Sequence, residues 1–385
     1  MRKSIARLTV LVVALGASAS MALSAAQPAH GSRALIKGVF DEAETIGRPN
    51  KTFPLLRTLR AEAVRVNLYW SEVASKKPRT PTNPDDKAYN WAGYDRMMEY
   101  ARRYHVKVVM SIVGTPRWAN GGKARYYAPR KSLDLRNFAY AAAKRYSGTF
   151  VPESNTSKNA KPFPAVRYWL AWNEPNNPVF LRPQYKRVAG GWQIESARQY
   201  ARICNAIQAG IHATVLRGEK IACGVTAPRG NNAPRSSRAS VSPLAFLRAM
   251  KRYGARGFDA YAHHPYYGSR AETPSTRPKA ETAVTLGNIG DLTSELTRLY
   301  GNKPLWITEY GYQTSPQDKF FGVSYSKQAA YLKQAFAIAR KNPRIDMMLW
   351  FLLRDQQAVR YWQSGFFTHG RKPKPSLSAF RNIRP

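Results

Sequence analysis

Residues 168–176 read YWLAWNEPN, an apolar run that gives way to an asparagine, a glutamate and a proline. Residues 305–312 read LWITEYGY and repeat the pattern, again with a glutamate where the apolar run ends. In each segment the glutamate, Glu174 or Glu309, stands where an apolar strand is expected to pass into a loop. Whether the two acids meet depends on the fold that joins these strands.

Short apolar runs alternate with amphipathic stretches along the chain after residue 33. We predict strands over 34–40, 63–69, 106–113, 166–172, 221–226, 258–263, 305–309 and 347–352. We predict helices over 52–60, 91–104, 134–145, 195–214, 242–254, 286–300, 326–340 and 376–381. This alternation fits a single (β/α)₈ TIM barrel, a catalytic domain over residues 33–385. A doubly wound open sheet is the alternative, but it should show a glycine-rich phosphate turn, and the sequence has none.

The chemistry of such barrels lies at the carboxyl ends of the strands, where both glutamates fall. A single glutamate there is ordinarily solvated or ion-paired. Two on non-adjacent strands, each near tryptophan, favour a catalytic pair. Glycosidic cleavage must protonate a leaving oxygen and stabilise an oxocarbenium-like centre. Carboxyl groups about 5–5.5 Å apart do this by double displacement with retention, and groups about 6.5–9.5 Å apart with inversion.

The pairing of WNEPN at the end of the fourth strand with ITEYG at the end of the seventh resembles glycoside hydrolase clan A, with families 5 and 39 as the nearest in pattern. The likeness covers nearly all of the chain after the N-terminal segment, because other strand ends match as well. Clan members are retaining enzymes. The resemblance therefore implies Glu174 as general acid/base and Glu309 as nucleophile.

The resemblance implies further site residues at neighbouring strand ends. Asn173 matches an asparagine that binds the sugar 2-hydroxyl, and Arg65 matches an arginine that pairs with the nucleophile. An arginine pointing into a barrel needs a carboxylate partner, because an unpaired buried charge is costly. The alternative for Arg65 is a surface position at a strand start. His264 and Tyr266 resemble a His-x-Tyr motif, and their spacing of two puts both on one face of an extended segment.

Several tryptophans near strand ends are candidates for stacking on the C–H faces of sugar rings. Trp350 resembles the aromatic floor of the sugar subsite, and Trp118 lies in a GTPRWA segment that resembles a loop of these families. Trp70 is a similar candidate. Core packing is the alternative for each of them. We expect core packing for Trp169 and Trp306, whose odd spacing from the glutamates predicts the helix-facing side.

The chain carries 61 Lys and Arg against 23 Asp and Glu, a formal net charge of +38. Such a charge creates a strong positive field, which suits an anionic polysaccharide or cell wall, or else reflects a solvated basic surface. The basic residues are spread along the chain without a nucleic-acid-binding signature, so we expect no nucleic acid partner. The predicted partner is an oligo- or polysaccharide, an anionic one included. The sequence carries no signal for an oligomeric state.

The first residues have the pattern of a secretory signal peptide, which we assign to residues 1–26. Arg2, Lys3 and Arg7 precede an apolar run from Leu8 to Leu15, and Ser24-Ala25-Ala26 fits a cleavage site. The run is short for a bilayer, so an uncleaved membrane anchor is the weaker alternative. We expect a secreted protein, either free or associated with the cell wall.

Cys204 and Cys223 fall in a predicted helix and in the strand that follows it. Export permits a disulfide, and a buried pair of free thiols is the alternative. Neither the cysteines nor His263 and His264 have the spacing of a metal site, so we expect no metal and no organic cofactor.

The sequence thus predicts a secreted retaining glycoside hydrolase acting on a β-linked glycoside or polysaccharide. A non-catalytic carbohydrate- or cell-wall-binding protein on the same barrel is one alternative, and a transglycosylase using the same residues is another. The loops over 178–191 and 229–240 are expected to set substrate specificity.

Overall fold

The computed structural model describes residues 35–153, 156, 160–316 and 318–384. Within this part of the chain, eight parallel strands close into a barrel with helices between them. The predicted (β/α)₈ TIM barrel is confirmed as a single domain. The proposed signal peptide lies outside the described residues.

Each barrel strand pairs in parallel with its neighbours in chain order, and the first pairs with the last. The barrel strands are β1 (Ile36–Phe40), β2 (Ala63–Tyr69), β3 (Lys107–Val113), β4 (Tyr168–Ala171), β7 (Lys220–Thr226), β8 (Ala260–His263), β9 (Leu305–Tyr310) and β10 (Ile345–Phe351). Every predicted strand is present, with ends that differ by up to two residues.

The barrel interior is filled by side chains of unequal size. Ala63, Ala222 and Ala260 lie in the same buried cluster as Trp306, whose ring centroid is 5.7 Å from that of Tyr168. These small residues leave room for the large indole of Trp306, so this part of the barrel interior is a packed core. Gly38 of β1 belongs to this fit, because a Cβ there would collide with the Ala63 carbonyl oxygen and the Leu349 side chain.

The helices cover the outside of the barrel and bury their apolar faces against it. They are α1 (Glu42–Gly47), α2 (Pro49–Thr58), α3 (Trp70–Val73), α4 (Ala92–Tyr104), α5 (Arg117–Asn120), α6 (Ser132–Arg145), α7 (Glu195–Ile211), α8 (Pro243–Arg252), α9 (Ile289–Tyr300), α10 (Tyr325–Lys341) and α11 (Pro375–Asn382). Two of them begin as their sequences indicate. Pro243 occupies the first turn of α8 after Ser242, and Ser324 caps α10 by accepting from the Lys327 amide.

A disulfide joins α7 to β7 through Cys204 and Cys223, whose Cα atoms are 6.0 Å apart. Both cysteines are fully buried in the layer between helices and barrel. The sequence left a bridge and two free thiols open, and the structure contains the bridge.

The loop predicted over 178–191 contains a two-stranded antiparallel hairpin, β5 (Tyr185–Val188) and β6 (Gly191–Ile194). A turn at Ala189 and Gly190 closes it, and Gly190 has a φ of +84°. Glycine adopts this left-handed conformation without steric cost, so the pair of adjacent glycines was an available hairpin signal.

Over the described ranges, helices that combine the length and apolar character needed to cross a membrane are absent.

Candidate active site

A cleft of about 920 Å³ opens at the carboxyl ends of the barrel strands. Its lining includes three of the predicted site residues, Glu174, Glu309 and Asn173. The other lining residues are Phe40, Asp41, Glu42, Ala43, Ile46, Gly47, Asn67, Tyr69, Glu72, Val73, Asn90, Gly93, Tyr94, Asn177, Val179, Phe180, Phe351, Leu352, Gln356 and Trp362.

Glu309 reaches the cleft because β9 bulges just before its end. Ile307 pairs with Met348 and Tyr310 with Trp350, so β9 has one more residue than β10 between these pairs. A bulge of this kind interrupts the alternation of side chains along a strand. Thr308 and Glu309 both therefore contact groups at the barrel centre.

Arg65 joins this carboxylate to the rest of the site. Its Nη1 donates to Glu309 Oε1 at 2.8 Å, and its Nη2 donates to Asn173 Oδ1 at 2.6 Å. The Thr308 carbonyl oxygen accepts a third hydrogen bond at 3.2 Å. The Arg65 side chain is fully buried, so the predicted inward position holds and the surface alternative does not.

Glu174 stands on an irregular turn at the end of β4. Trp172 and Glu174 both have positive φ, +71° and +38°, which is uncommon for residues with a Cβ. The Glu174 amide donates to the Val225 carbonyl oxygen, which ties the turn to β7. Such backbone costs on the order of 1–3 kcal/mol per residue and is typical of functional sites.

Burial raises the pKa of Glu174 to about 7, while a hydrogen bond from Asn177 and the charge of Arg65 oppose this shift. Asn177 Nδ2 donates to Glu174 Oε2 at 3.0 Å. The carboxyl group can therefore hold a proton near neutral pH, as a general acid requires.

His264 lies between the two glutamates, with its Nδ1 3.0 Å from Glu174 Oε1 and 3.6 Å from Glu309 Oε1. Its Nε2 lies 3.1 Å from Arg65 Nη1, which can only donate, so Nε2 is an acceptor. Burial lowers the pKa of His264 to about 3, with Arg65 also lowering it and Glu309 opposing the shift. The neutral ring therefore carries its proton on Nδ1 and donates it to Glu174 Oε1 at 3.0 Å.

Tyr266 contacts the same carboxylate as Arg65 from the other side. Its hydroxyl donates to Glu309 Oε2 at 3.2 Å. Burial, together with the nearby charges of Glu309 and Glu174, raises the Tyr266 pKa well above its ordinary value. The phenol therefore stays protonated and donates.

One carboxylate oxygen each from Glu174 and Glu309 and one ring nitrogen of His264 lie within 4.8 Å of one another. Three such ligands could in principle surround a metal ion. Arg65 counts against this use, because its guanidinium already occupies Glu309 Oε1 and would repel a cation there.

The predicted aromatic contacts need correction. Trp350 is fully buried, donates to the Ser364 carbonyl oxygen and faces the helix layer. Trp118 donates to the Ala74 carbonyl oxygen and packs edge-on against buried Trp70. None of the three lines the cleft. Phe351 and Trp362 do, because the next residue along β10 faces the other side and the loop after it returns over the barrel.

Of the two tryptophans expected on the helix-facing side of the barrel, one lies there and one does not. Trp169 packs in the helix-facing layer, as its spacing predicts. Trp306 lies inside the barrel instead. The spacing rule failed because the β9 bulge shifts the alternation between Trp306 and Glu309.

Two other cleft residues carry a recognisable sequence signal. Asn67 lies two residues after Arg65 on β2 and shares its face. Glu42 follows the end of β1, so it too is an acid at the carboxyl end of a strand. Trp362 lies in the long loop after β10, and no pattern in the sequence marks it.

Residues 244–380 match a family model described as the glycosyl hydrolase catalytic core. The matched part contains β8, β9 and β10, with His264, Tyr266 and Glu309, whereas Glu174 precedes it. The predicted resemblance to glycoside hydrolases is confirmed, and the match supports the predicted class of enzyme, a glycosidase. No curated protein matches the chain in sequence.

Similar solved structures share the barrel at low sequence identity. A family 39 glycoside hydrolase from Bacteroides cellulosilyticus WH2 is 17% identical, with a TM-score of 0.61 over 91% of this chain and 63% of that chain. A glucosidase from Croceicoccus marinus is 14% identical, with a TM-score of 0.62 over 92% and 66%. A β-glucosidase from Thermotoga maritima is 12% identical, with a TM-score of 0.59 over 91% and 98%. The chain spans less than two thirds of the first two structures, and at these identities the likeness shows the fold.

Proposed function

We propose that this protein is a retaining glycoside hydrolase that cleaves a β-linked glycoside or polysaccharide. The observation that carries the proposal is the proximity of Glu174 and Glu309 in the cleft, where a carboxylate oxygen of one lies within 4.8 Å of a carboxylate oxygen of the other. Carboxyl groups about 5–5.5 Å apart suit double displacement, whereas inversion needs about 6.5–9.5 Å to admit a water molecule.

In the first step, a Glu309 oxygen attacks the anomeric carbon while Glu174 transfers its proton to the departing glycosidic oxygen. The bond from carbon to the leaving oxygen breaks as the bond to Glu309 forms, and a glycosyl ester results. In the second step, the Glu174 carboxylate takes a proton from water, whose oxygen attacks the same carbon and releases Glu309. Two inversions give net retention.

The neighbouring groups suit these roles. Arg65 and Tyr266 each donate to a different oxygen of Glu309, which fixes the carboxylate in the cleft. His264 donates to Glu174 and, being neutral, adds no charge that would favour the ionised acid. Asn173 directly precedes Glu174 in sequence and lines the cleft, where it is available for a sugar hydroxyl.

Export forms part of the proposal and rests on the sequence pattern of residues 1–26. A secreted glycosidase would meet polysaccharide outside the cell. N-terminal sequencing of protein recovered from the culture medium tests this, and a mature chain that still begins at Met1 would count against it.

Hydrolysis is tested with aryl β-glycosides and neutral or acidic polysaccharides, using wild type, Glu174→Ala, Glu309→Ala and Glu99→Ala. Glu99 is an exposed glutamate of α4 and serves as the matched control. We expect both cleft variants to lose at least about 10³-fold in kcat, as for other essential catalytic groups, and the control to retain full activity. Hydrolysis that survives both cleft substitutions would refute the proposal.

Stereochemistry separates the two roles. Added azide should restore cleavage by Glu309→Gly and yield the α-glycosyl azide, because the small anion replaces the missing nucleophile. With Glu174→Ala, azide should yield the β-glycosyl azide from an activated substrate. The anomer formed by wild type, followed by nuclear magnetic resonance, should be β, and an α product would exclude double displacement. Oligosaccharides longer than the substrate would instead indicate transglycosylation.

A further inference from the structure

The charge of the cleft is opposite to the charge of the chain. The lining contains five carboxylic acids and no lysine, arginine or histidine among the residues the structure describes. The whole chain has 61 basic and only 23 acidic residues. The acids in the lining are Asp41, Glu42, Glu72, Glu174 and Glu309.

Three arginines near the cleft wall are already paired with carboxylates. Arg65 binds Glu309, and Arg125 binds Glu72 at 2.9 Å. Arg354, in the loop after β10, binds Glu44 of α1 at 2.6 Å. These three guanidinium groups are therefore already neutralised by acidic partners and are not free to bind an anionic ligand in the cleft.

Glu42 is the acid best placed to contact a ligand outside the catalytic pair. It begins α1 directly after β1, and its Oε2 accepts from Asn67 Nδ2 at 2.9 Å. Asn67 Oδ1 in turn accepts from Arg65 at 3.4 Å, so Glu42 is connected to the group that holds Glu309. The Glu42 side chain lines the cleft and is partly exposed there.

Aromatic rings give the cleft a second feature that points to a sugar. Trp362 lines it beside Phe351 and Tyr266, with ring centroids 5.2 and 4.7 Å away. An ionised carboxylate only accepts hydrogen bonds, so it binds hydroxyl groups and repels other carboxylates. Rings for the C–H faces and acceptors for the hydroxyls together suit an uncharged sugar.

We propose that the cleft selects an uncharged sugar ring, with the Glu42 carboxyl group accepting from its hydroxyl groups, and that it rejects uronic acids. The proposal rests on the proposed glycosidase function and defines its substrate class. The proposal assigns the positive field to the outer surface of the protein, whereas the acidic cleft disfavours anionic ligands. When Glu42 is ionised, two like charges about 5 Å apart at an effective dielectric of about 20 discriminate by about 100-fold or more. Because burial raises the pKa of Glu42 to about 7, this discrimination should be largest above that pH.

The test compares kcat/KM for paired aryl β-glycosides, glucoside against glucuronide and galactoside against galacturonide. Above about pH 7, where Glu42 is ionised, we expect the neutral member of an accepted pair to be favoured at least about 100-fold. Glu42→Gln should raise KM for the neutral sugar. It should also reduce the ratio of kcat/KM for the neutral glycoside to kcat/KM for the uronide at least tenfold. Glu42→Asp keeps the charge and should preserve the rejection of uronides. Glu99→Gln removes one distant negative charge and should change neither quantity.

Binding provides an arm that does not depend on turnover. Calorimetry on Glu309→Gln with a neutral β-glucan oligosaccharide and an oligogalacturonate should detect only the neutral ligand. Preference for the uronide, or a preference unchanged in a folded Glu42→Gln, would overturn the inference and leave the hydrolase proposal intact. Failure to hydrolyse any glycoside, with neutral oligosaccharide still bound, would overturn the hydrolase proposal and leave the inference intact.

Discussion

Arg65 Nη1 donates a 2.8 Å hydrogen bond to Glu309 Oε1, although no part of the arginine side chain is exposed. A buried guanidinium has lost its water and needs acceptors from the protein. Glu309 supplies the charge, and Asn173 supplies a second acceptor at 2.6 Å. Because these residues lie on β2, β9 and the end of β4, one side chain holds three strand ends in register around the cleft.

We expect Arg65→Lys to fold but to lose on the order of 10²-fold in kcat. Lysine keeps the charge, but its ammonium group cannot bridge Glu309 and Asn173 in one plane, so the nucleophile moves. Arg65→Ala should lower the free energy of unfolding by about 3–5 kcal/mol, because it leaves a carboxylate buried without its partner. Steady-state kinetics and urea unfolding measure the two effects.

Arg145 provides the control for this prediction. It is a buried arginine outside the cleft, bound to Asp95 at 2.7 Å and Asp85 at 3.2 Å. Arg145→Lys should reduce stability while kcat/KM stays at the wild-type value. Equal losses of kcat in the two lysine variants would mean that Arg65 acts only through stability.

The pH dependence of kcat/KM should show a basic limb set by Glu174. Burial raises the pKa of this carboxyl to about 7, so the general acid is present below that pH and lost above it. Asn177 donates to the ionised form and lowers this pKa. Asn177→Ala should therefore move the basic limb to higher pH.

Glu174→Gln should abolish the limb for an activated aryl glycoside, whose leaving group needs no proton. A basic limb that persists in this variant would assign it to another group.

Three buried carboxyl groups should lose their contribution to stability as pH rises from about 4.5 to about 7. Burial raises the pKa of Glu42 and Glu174 from 4.5 to about 7 and that of Asp41 from 3.8 to about 6. In that window these groups hold protons in the folded protein that the unfolded chain has released, so rising pH weakens their contribution. His263 and His264 act in the opposite direction below about pH 6.5, because burial lowers the pKa of each to about 3. Each glutamate contributes about 3 kcal/mol as an upper limit. Urea unfolding at several pH values measures the slope.

Glu174→Gln should remove the contribution of this carboxyl group to the pH dependence of stability. Its free energy of unfolding should exceed that of wild type above about pH 7 and equal it near pH 4.5. A difference in stability between wild type and Glu174→Gln that stays constant through this window would contradict the prediction.

The sequence was sufficient to predict the barrel and the meeting of Glu174 and Glu309 in one cleft, because both depend on local pattern. Alternating apolar runs locate strands, and acids at their carboxyl ends are visible without coordinates. The sequence did not predict features that depend on a change of strand register or on a loop that folds back over the barrel. A bulge in β9 moved Trp306 inside the barrel, and the loop after β10 supplied Trp362 in place of Trp350. Glu42 could have been found, since it satisfies the same strand-end rule.

Reduction of the disulfide between Cys204 and Cys223 should destabilise the protein without changing its chemistry. The bridge closes a loop of 19 residues in sequence separation, which corresponds to about 3 kcal/mol of lost chain entropy in the unfolded state. Both sulfurs lie in the helix-facing layer, away from the cleft. Urea unfolding with and without reductant measures the loss.

The double variant Cys204→Ala, Cys223→Ala should match the reduced wild type in stability, and reductant should not affect it. A fall in kcat/KM of the folded variant would show that the bridge also shapes the cleft.

Trp362 and Trp350 offer the sharpest contrast between a tryptophan that meets substrate and one that only packs. Trp362 lines the cleft and is partly exposed, whereas Trp350 is fully buried against Phe366 with a ring centroid distance of 6.0 Å. Trp362→Ala should raise KM about tenfold or less, because a stacked ring contributes about 0.5–1.5 kcal/mol. Its free energy of unfolding should change little.

Trp350→Phe should do the reverse. It loses the hydrogen bond to the Ser364 carbonyl oxygen and leaves unfilled volume in the core, which together cost about 1–3 kcal/mol of stability. KM should stay at the wild-type value, because the side chain faces away from the cleft. If Trp350→Phe raised KM while Trp362→Ala did not, the sugar would stack where the sequence pattern first placed it, and the cleft described above would not be the binding site.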